Sequence, residues 1–91
     1  MRFVVTIEYT DLAARERALR KHRDYLAAGR AQGTVAESGP FADGKGGMYI
    51  LNVADEAQAR AFVADDPYTE AGMKLTLRQW HSSRDSQTNR V

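Results

Sequence analysis

Residues 48–53, MYILNV, are apolar at every position except Asn52. A run this short, rich in β-branched and aromatic side chains and preceded by glycines, reads as a strand. Side chains alternate across a strand, so Met48 and Ile50 face one way while Tyr49, Leu51 and Val53 face the other. A sheet with one wet face shows polar residues on that face. This strand shows almost none, so both sides of its sheet must be covered.

The remaining chain limits what can do the covering. Phe3, Val5, Ile7 and Tyr9 alternate with Arg2, Val4, Thr6 and Glu8, the period-two signature of a first strand. Thr10 or Asp11 then caps a helix running to about Ala28 and closed by Gly29. Residues 33–38 read as a second strand broken by Gly39-Pro40, and the loop ADGKGG leads into the third as an antiparallel hairpin. Asp55 caps a second helix with Ala57, Ala61 and Ala64 on one face, small enough for close approach to a sheet. That helix must stop near Asp66, because the residue before Pro67 avoids helical geometry. Met73 to Trp80 alternates again as the last strand. The order βαββαβ predicts an α+β, ferredoxin-like fold, with two helices on one face of a four-stranded antiparallel sheet. A single domain over 1–82 accounts for every element, and the polar stretch 83–91 is expected to fray. With no element left for the second face, a second copy of the sheet is the economical cover, giving a homodimer with sheets face to face.

Bulk properties narrow the function classes. There are no cysteines among the 91 residues, which removes thiolate metal sites, disulfides and thiol nucleophiles and fits a cytoplasmic protein. MRFVVTIEY lacks a continuous apolar segment, and no run approaches the ~20 apolar residues of a membrane helix, so neither export nor a membrane span is expected. Thirteen basic and twelve acidic residues are interspersed, for a net charge of +1, which gives no field for nucleic acid. RNA binding through the same βαββαβ topology would need stacking aromatics where Met48 and Ile50 stand. The two histidines, His22 and His81, have no metal-ligand spacing to carboxylates, so no metal or cofactor is expected. A small-molecule ligand remains.

Polar residues on the wrong face of the first helix point to where that ligand would sit. Leu12, Leu19 and Leu26 form its apolar stripe, and Arg15 and His22 fall within roughly 20–40° of it at about 100° per residue. A single inward histidine can be a satisfied core residue. An inward guanidinium beside it needs a partner, so the two together suggest a polar pocket under the helix. Asp65 and Asp66 stand at the end of the second helix, where the helix dipole disfavours a carboxylate by roughly 0.3–1 kcal/mol. Asp66 followed by proline can instead start a short turn through Tyr68, Thr69 and Glu70, while Asp65 sits in solvent.

RERALRKHRDYLAAG with Arg15 and His22, SGP at 38–40, the glycine-rich loop, DEAQARAFVADDPY and the final Trp80 together resemble the YciI-like, or YCII-related, family over residues 2–81. The resemblance implies a dimeric α+β barrel and a functional His-Asp pair, here His22 and Asp66. Most members of that family have no assigned reaction, and one branch is similar to a dehydrochlorinase of chlorinated hydroxyhydroquinone. This chain departs from the commonest pattern at Ser38, where a small apolar residue is frequent. The expected machinery is His22 as general base or acid, Asp66 orienting it, and Arg15 holding an anionic oxygen, with Ser38 and Tyr68 also contacting substrate. Elimination or hydrolysis of a cyclic or aromatic compound suits that set. The alternative is a non-catalytic ligand-binding or interaction protein in which the pair is structural.

Overall fold

The computed structural model describes residues 1–84, so the tail beyond residue 84 lies outside the described residues. The elements are β1 (Arg2–Glu8), α1 (Leu12–Ala31), β2 (Val35–Pro40), β3 (Gly46–Asn52), α2 (Glu56–Ala64), α3 (Pro67–Glu70) and β4 (Lys74–Trp80). The four strands form one antiparallel sheet in the order β2-β3-β1-β4, the ferredoxin-like α+β arrangement. Phe3, Val5 and Ile7 of β1 and Tyr49 and Leu51 of β3 are buried on the helix side, packed with Leu26, Val35, Ala59, Tyr68 and Met73. Alternation in β1 therefore reports the inner face directly.

Four local readings are corrected by packing. Helix α1 runs past Gly29 to Ala31, and the left-handed residue that follows is Gly33, at φ 82°. Gly29 is glycine for a different reason: a Cβ there would lie 2.7 Å from Val35 Cγ2 and 3.2 Å from the Phe62 ring. Strand β2 continues through Gly39-Pro40, with Gly39 opposite Met48 and Pro40 opposite Gly47. Proline is tolerated there because β2 is an edge strand, with one row of backbone groups unpaired. Ala57, Ala61 and Ala64 are exposed, and α2 instead buries Ala59 with Phe62 and Val63 half-buried against the core. Leu12, at the first turn of α1, is 67% exposed, so the inward stripe of that helix is Ala14, Ala18, His22, Leu26 and Gly29.

Small residues bring the elements close where the site forms. Gly46 is buried, and a Cβ on it would meet the Ile7 carbonyl oxygen at 1.9 Å, so any side chain there would push β3 from β1. On the sheet's outer face Val4, Met48 and Ile50 are half-buried, with Val4 opposite Ile50. Both long helices pack on the other side, against the buried residues of β1 and β3.

Candidate functional site: a histidine–aspartate pair beside a cleft

Asp66 sits in extended backbone between α2 and α3 and caps α3, with Pro67 at the first helical position. Its carboxylate is fully buried and accepts three hydrogen bonds. Oδ1 takes the Tyr68 amide at 2.9 Å and the His22 Nδ1–H at 2.8 Å, and Oδ2 takes the Tyr49 hydroxyl at 3.0 Å. The helix cap and the histidine contact are thus made by one carboxylate, while Asp65 is exposed. An ionised carboxylate only accepts, so Nδ1 carries a proton and, in the neutral ring, Nε2 is the lone-pair nitrogen. Nε2 makes no hydrogen bond among the described residues.

The ring plane of His22 is fixed as well. Tyr68 stacks on it with centroids 3.7 Å apart and planes 5° apart, and Tyr9 packs edge-on against Tyr68 at 6.1 Å. His22, Tyr68, Tyr9 and Arg15 border a cleft of about 500 Å³ between α1 and strands β2 and β3. Ser38 lines the same cleft, where its hydroxyl accepts a hydrogen bond from Arg30. Arg30 is eight residues beyond His22, roughly 12 Å along the helix at the ~1.5 Å rise per residue. All five sequence-derived candidates therefore border the cleft or pair with a residue that does: Arg15, His22, Asp66 and Tyr68 at one end, Ser38 further along.

Arg15 lies with Cζ 4.8 Å from the Tyr9 ring centroid, and its Nε is buried with no hydrogen-bond partner among the described residues. Glu16 is its one ion-pair contact among the described residues, at 3.7 Å and largely in solvent. Burial works against the Arg15 charge, but the Tyr68 and Tyr9 oxygens outweigh it and raise the guanidinium pKa. Arg15 is therefore a fixed cation with donor capacity to spare.

The phenols around the pair are held neutral. Burial, then the Asp66 charge, pushes the Tyr49 hydroxyl far above its ordinary range. Burial also raises Tyr68, against the opposing pull of Arg15. Tyr25, whose hydroxyl donates to the Phe62 carbonyl at 2.7 Å, is pushed up to about 12 by burial and by Asp65 and Asp66. An unfolded chain releases phenolic protons from about pH 10, while the folded chain still holds them. The unfolded state then binds fewer protons, so stability falls as pH rises above that point. Thermal unfolding at pH 9 and pH 11 should show a lower Tm at the higher pH, with part of the drop abolished in Tyr25→Phe. An equal drop in that variant would remove Tyr25 from the explanation.

Tyr49 is the member of the Asp66 hydrogen-bond network that the sequence concealed. In MYILNV it counts as one more apolar residue of a buried strand, and its partner is 17 residues away. The one available signal is that a buried tyrosine hydroxyl normally finds a partner. Among the described residues no three histidine, cysteine, aspartate or glutamate side chains gather to hold a metal ion, and no helix is long and apolar enough to cross a membrane.

The chain is thus a ferredoxin-like α+β domain with a buried histidine–aspartate pair beside a cleft. The family model of the YCII-related domain matches residues 1–81, and the chain belongs to that family. No curated protein matches the sequence. Among solved structures, the chain is similar to 5-chloro-2-hydroxyhydroquinone dehydrochlorinase from Burkholderia phenoliruptrix AC1100, in complex with 2,5-dihydroxybenzoquinone. The two share 22% identity and a TM-score of 0.76, over 92% of this chain and 98% of that one.

Proposed function

We propose that this protein is a small-molecule enzyme of lyase or hydrolase type, acting on a cyclic or aromatic compound bound in the cleft. The observation that carries the reading is the division of His22: Nδ1 is committed to Asp66 at 2.8 Å, while Nε2, beside a cleft of about 500 Å³, has no partner among the described residues. A base oriented in this way accepts a proton without first breaking a hydrogen bond. In an elimination, Nε2 takes a proton from a hydroxyl or a saturated carbon of the substrate's keto tautomer, and the electron pair this releases expels the leaving group, with its bonding pair, from a saturated ring carbon. Arg15, cationic and with Nε unpartnered among the described residues, stabilises the charge that gathers on a substrate oxygen. Tyr68 and Ser38 supply neutral contacts. The structurally similar dehydrochlorinase, bound to a quinone, supports an aromatic substrate.

The test is a screen of hydroxylated and halogenated aromatic compounds for turnover and for binding. Arg15→Met keeps the stem and deletes the charge. For the compound that reacts, kcat/KM should fall about 10–100-fold, the scale of a hydrogen bond to a charged group, with Tm little changed. A large fall in Tm with unaltered binding makes Arg15 structural. Binding without turnover across the screen favours a ligand-binding protein instead.

The working unit we propose is a homodimer in the cytoplasm, formed by the outer sheet faces. Val4, Met48 and Ile50 would lie at its centre, and Trp80, 42% exposed and opposite Arg2, near its edge. Light scattering at micromolar concentration should give twice the chain mass, and Ile50→Asp should give the monomer. A wild-type monomer of undiminished stability would rule the assembly out.

A further inference from the structure

We infer that Tyr49 is a positioning residue whose hydroxyl, by holding Asp66 Oδ2, weakens the carboxylate's grip on the protonated form of His22 and so keeps Nε2 a free base. The inference rests on the reading of His22 as the base, but its test does not.

Three donors share one buried carboxylate, and they are not equivalent. The Tyr68 amide and the His22 ring both bind Oδ1, while Tyr49 alone binds Oδ2. A hydrogen bond to a carboxylate draws charge from it and lowers its affinity for further protons. With Oδ2 engaged, less negative charge is left to stabilise an imidazolium at Oδ1. The same hydroxyl fixes the carboxylate's rotation, since Tyr49 comes from the middle of β3 and is fully buried. Burial and the Asp66 charge keep that phenol protonated, so it donates throughout the neutral range.

Other groups facing His22 set its absolute pKa but not the change on deleting one hydroxyl. Asp66 and Tyr68 contact it from the cap of α3 and from α3, and Tyr9, Glu37, Arg15, Arg23, Asp24 and Arg30 are the other titratable groups lining the same cleft. All are retained in Tyr49→Phe. The comparison therefore isolates the bond to Oδ2.

The measurement is an NMR titration of the His22 ring protons in the free protein, with the resonance assigned by its loss in His22→Gln and told apart from the exposed His81. In Tyr49→Phe the His22 pKa should rise by about 0.5–1 unit, because the carboxylate regains charge at Oδ1. Site-specific replacement of Tyr49 by 3-fluorotyrosine, a stronger donor of nearly the same size, should lower it. Tyr25→Phe, which removes a hydroxyl bound to a backbone carbonyl instead of to Asp66, should leave it in place. If Tyr49→Phe does not fold, the fluorinated variant decides. An unchanged or lowered pKa in Tyr49→Phe, or a raised one with fluorotyrosine, overturns the inference. A predicted titration shift in a protein without turnover would defeat the enzyme reading while leaving this one intact.

Discussion

His22→Ala should lower turnover by about 10²–10⁴-fold, the range a positioned general base supplies. Asp66→Asn should cause a similar loss, because an amide nitrogen placed toward Nδ1 favours the wrong tautomer and even a correctly turned amide brings no charge to the imidazolium. The informative variant is the double one. Groups acting as a unit are non-additive, so His22→Ala with Asp66→Asn should be hardly worse than the poorer single substitution. Steady-state kinetics on the compound found by screening would measure this. Additive losses, or full activity in His22→Ala, would remove the pair from the active centre and leave it as a buried structural contact.

The architecture was legible because each element carries a short-range pattern. Alternation in Arg2–Glu8 marks the inner face of β1, and Asp11, Asp55 and Asp66 each cap the helix that follows. What was misread depends on contacts between elements. Gly29 looks like a helix stop, yet it is set by Val35 and Phe62, and only a packed β2 and α2 show why a Cβ is excluded. In α2, four alanines in nine residues leave the inward direction undetermined by periodicity, and the large Phe62 and Val63 decide it in favour of Ala59. Proline at position 40 breaks a central strand but not an edge strand, and strand order is a property of the whole sheet.

The site divides in the same way. Arg15, His22 and Asp66 stood out because each is costly where the local pattern puts it: a charge and an imidazole on an inward helix face, a carboxylate at a helix end. Tyr49 and Tyr9 did not, because a tyrosine in a buried strand or beside one is ordinary until its hydroxyl or ring has a partner. The carboxylate's cost at the α2 terminus is offset by what it meets, since its two oxygens take an amide, an imidazole and a phenol. A misfit in a local pattern thus pointed to the candidate site, and three-dimensional contact added Tyr49 and Tyr9 to it.

The same three contacts make Asp66 the residue whose removal should cost the most stability. Asp66→Ala deletes the α3 cap, worth about 0.5–2 kcal/mol, and leaves the Tyr49 hydroxyl, the Tyr68 amide and the His22 Nδ1–H without a partner. Each orphaned buried donor costs about 1–3 kcal/mol, though relaxation and entry of water at the cleft side reduce the sum. Breaking a buried pair by removing one partner typically costs about 3–5 kcal/mol, and that range is the expected loss. In a domain of this length it corresponds to a fall in Tm of at least about 12 °C. Asp66→Asn should lose clearly less, because the amide oxygen can still accept from the Tyr68 amide and the Tyr49 hydroxyl can turn to accept from the amide nitrogen. Asp65→Ala, at the exposed neighbouring position, should stay within about 0.5 kcal/mol of the parent. Chemical and thermal denaturation of the three variants would measure the order. If Asp66→Ala were no less stable than Asp65→Ala, the buried network would contribute nothing to folding, and the placement of a carboxylate behind α2 would have to be explained by catalysis alone.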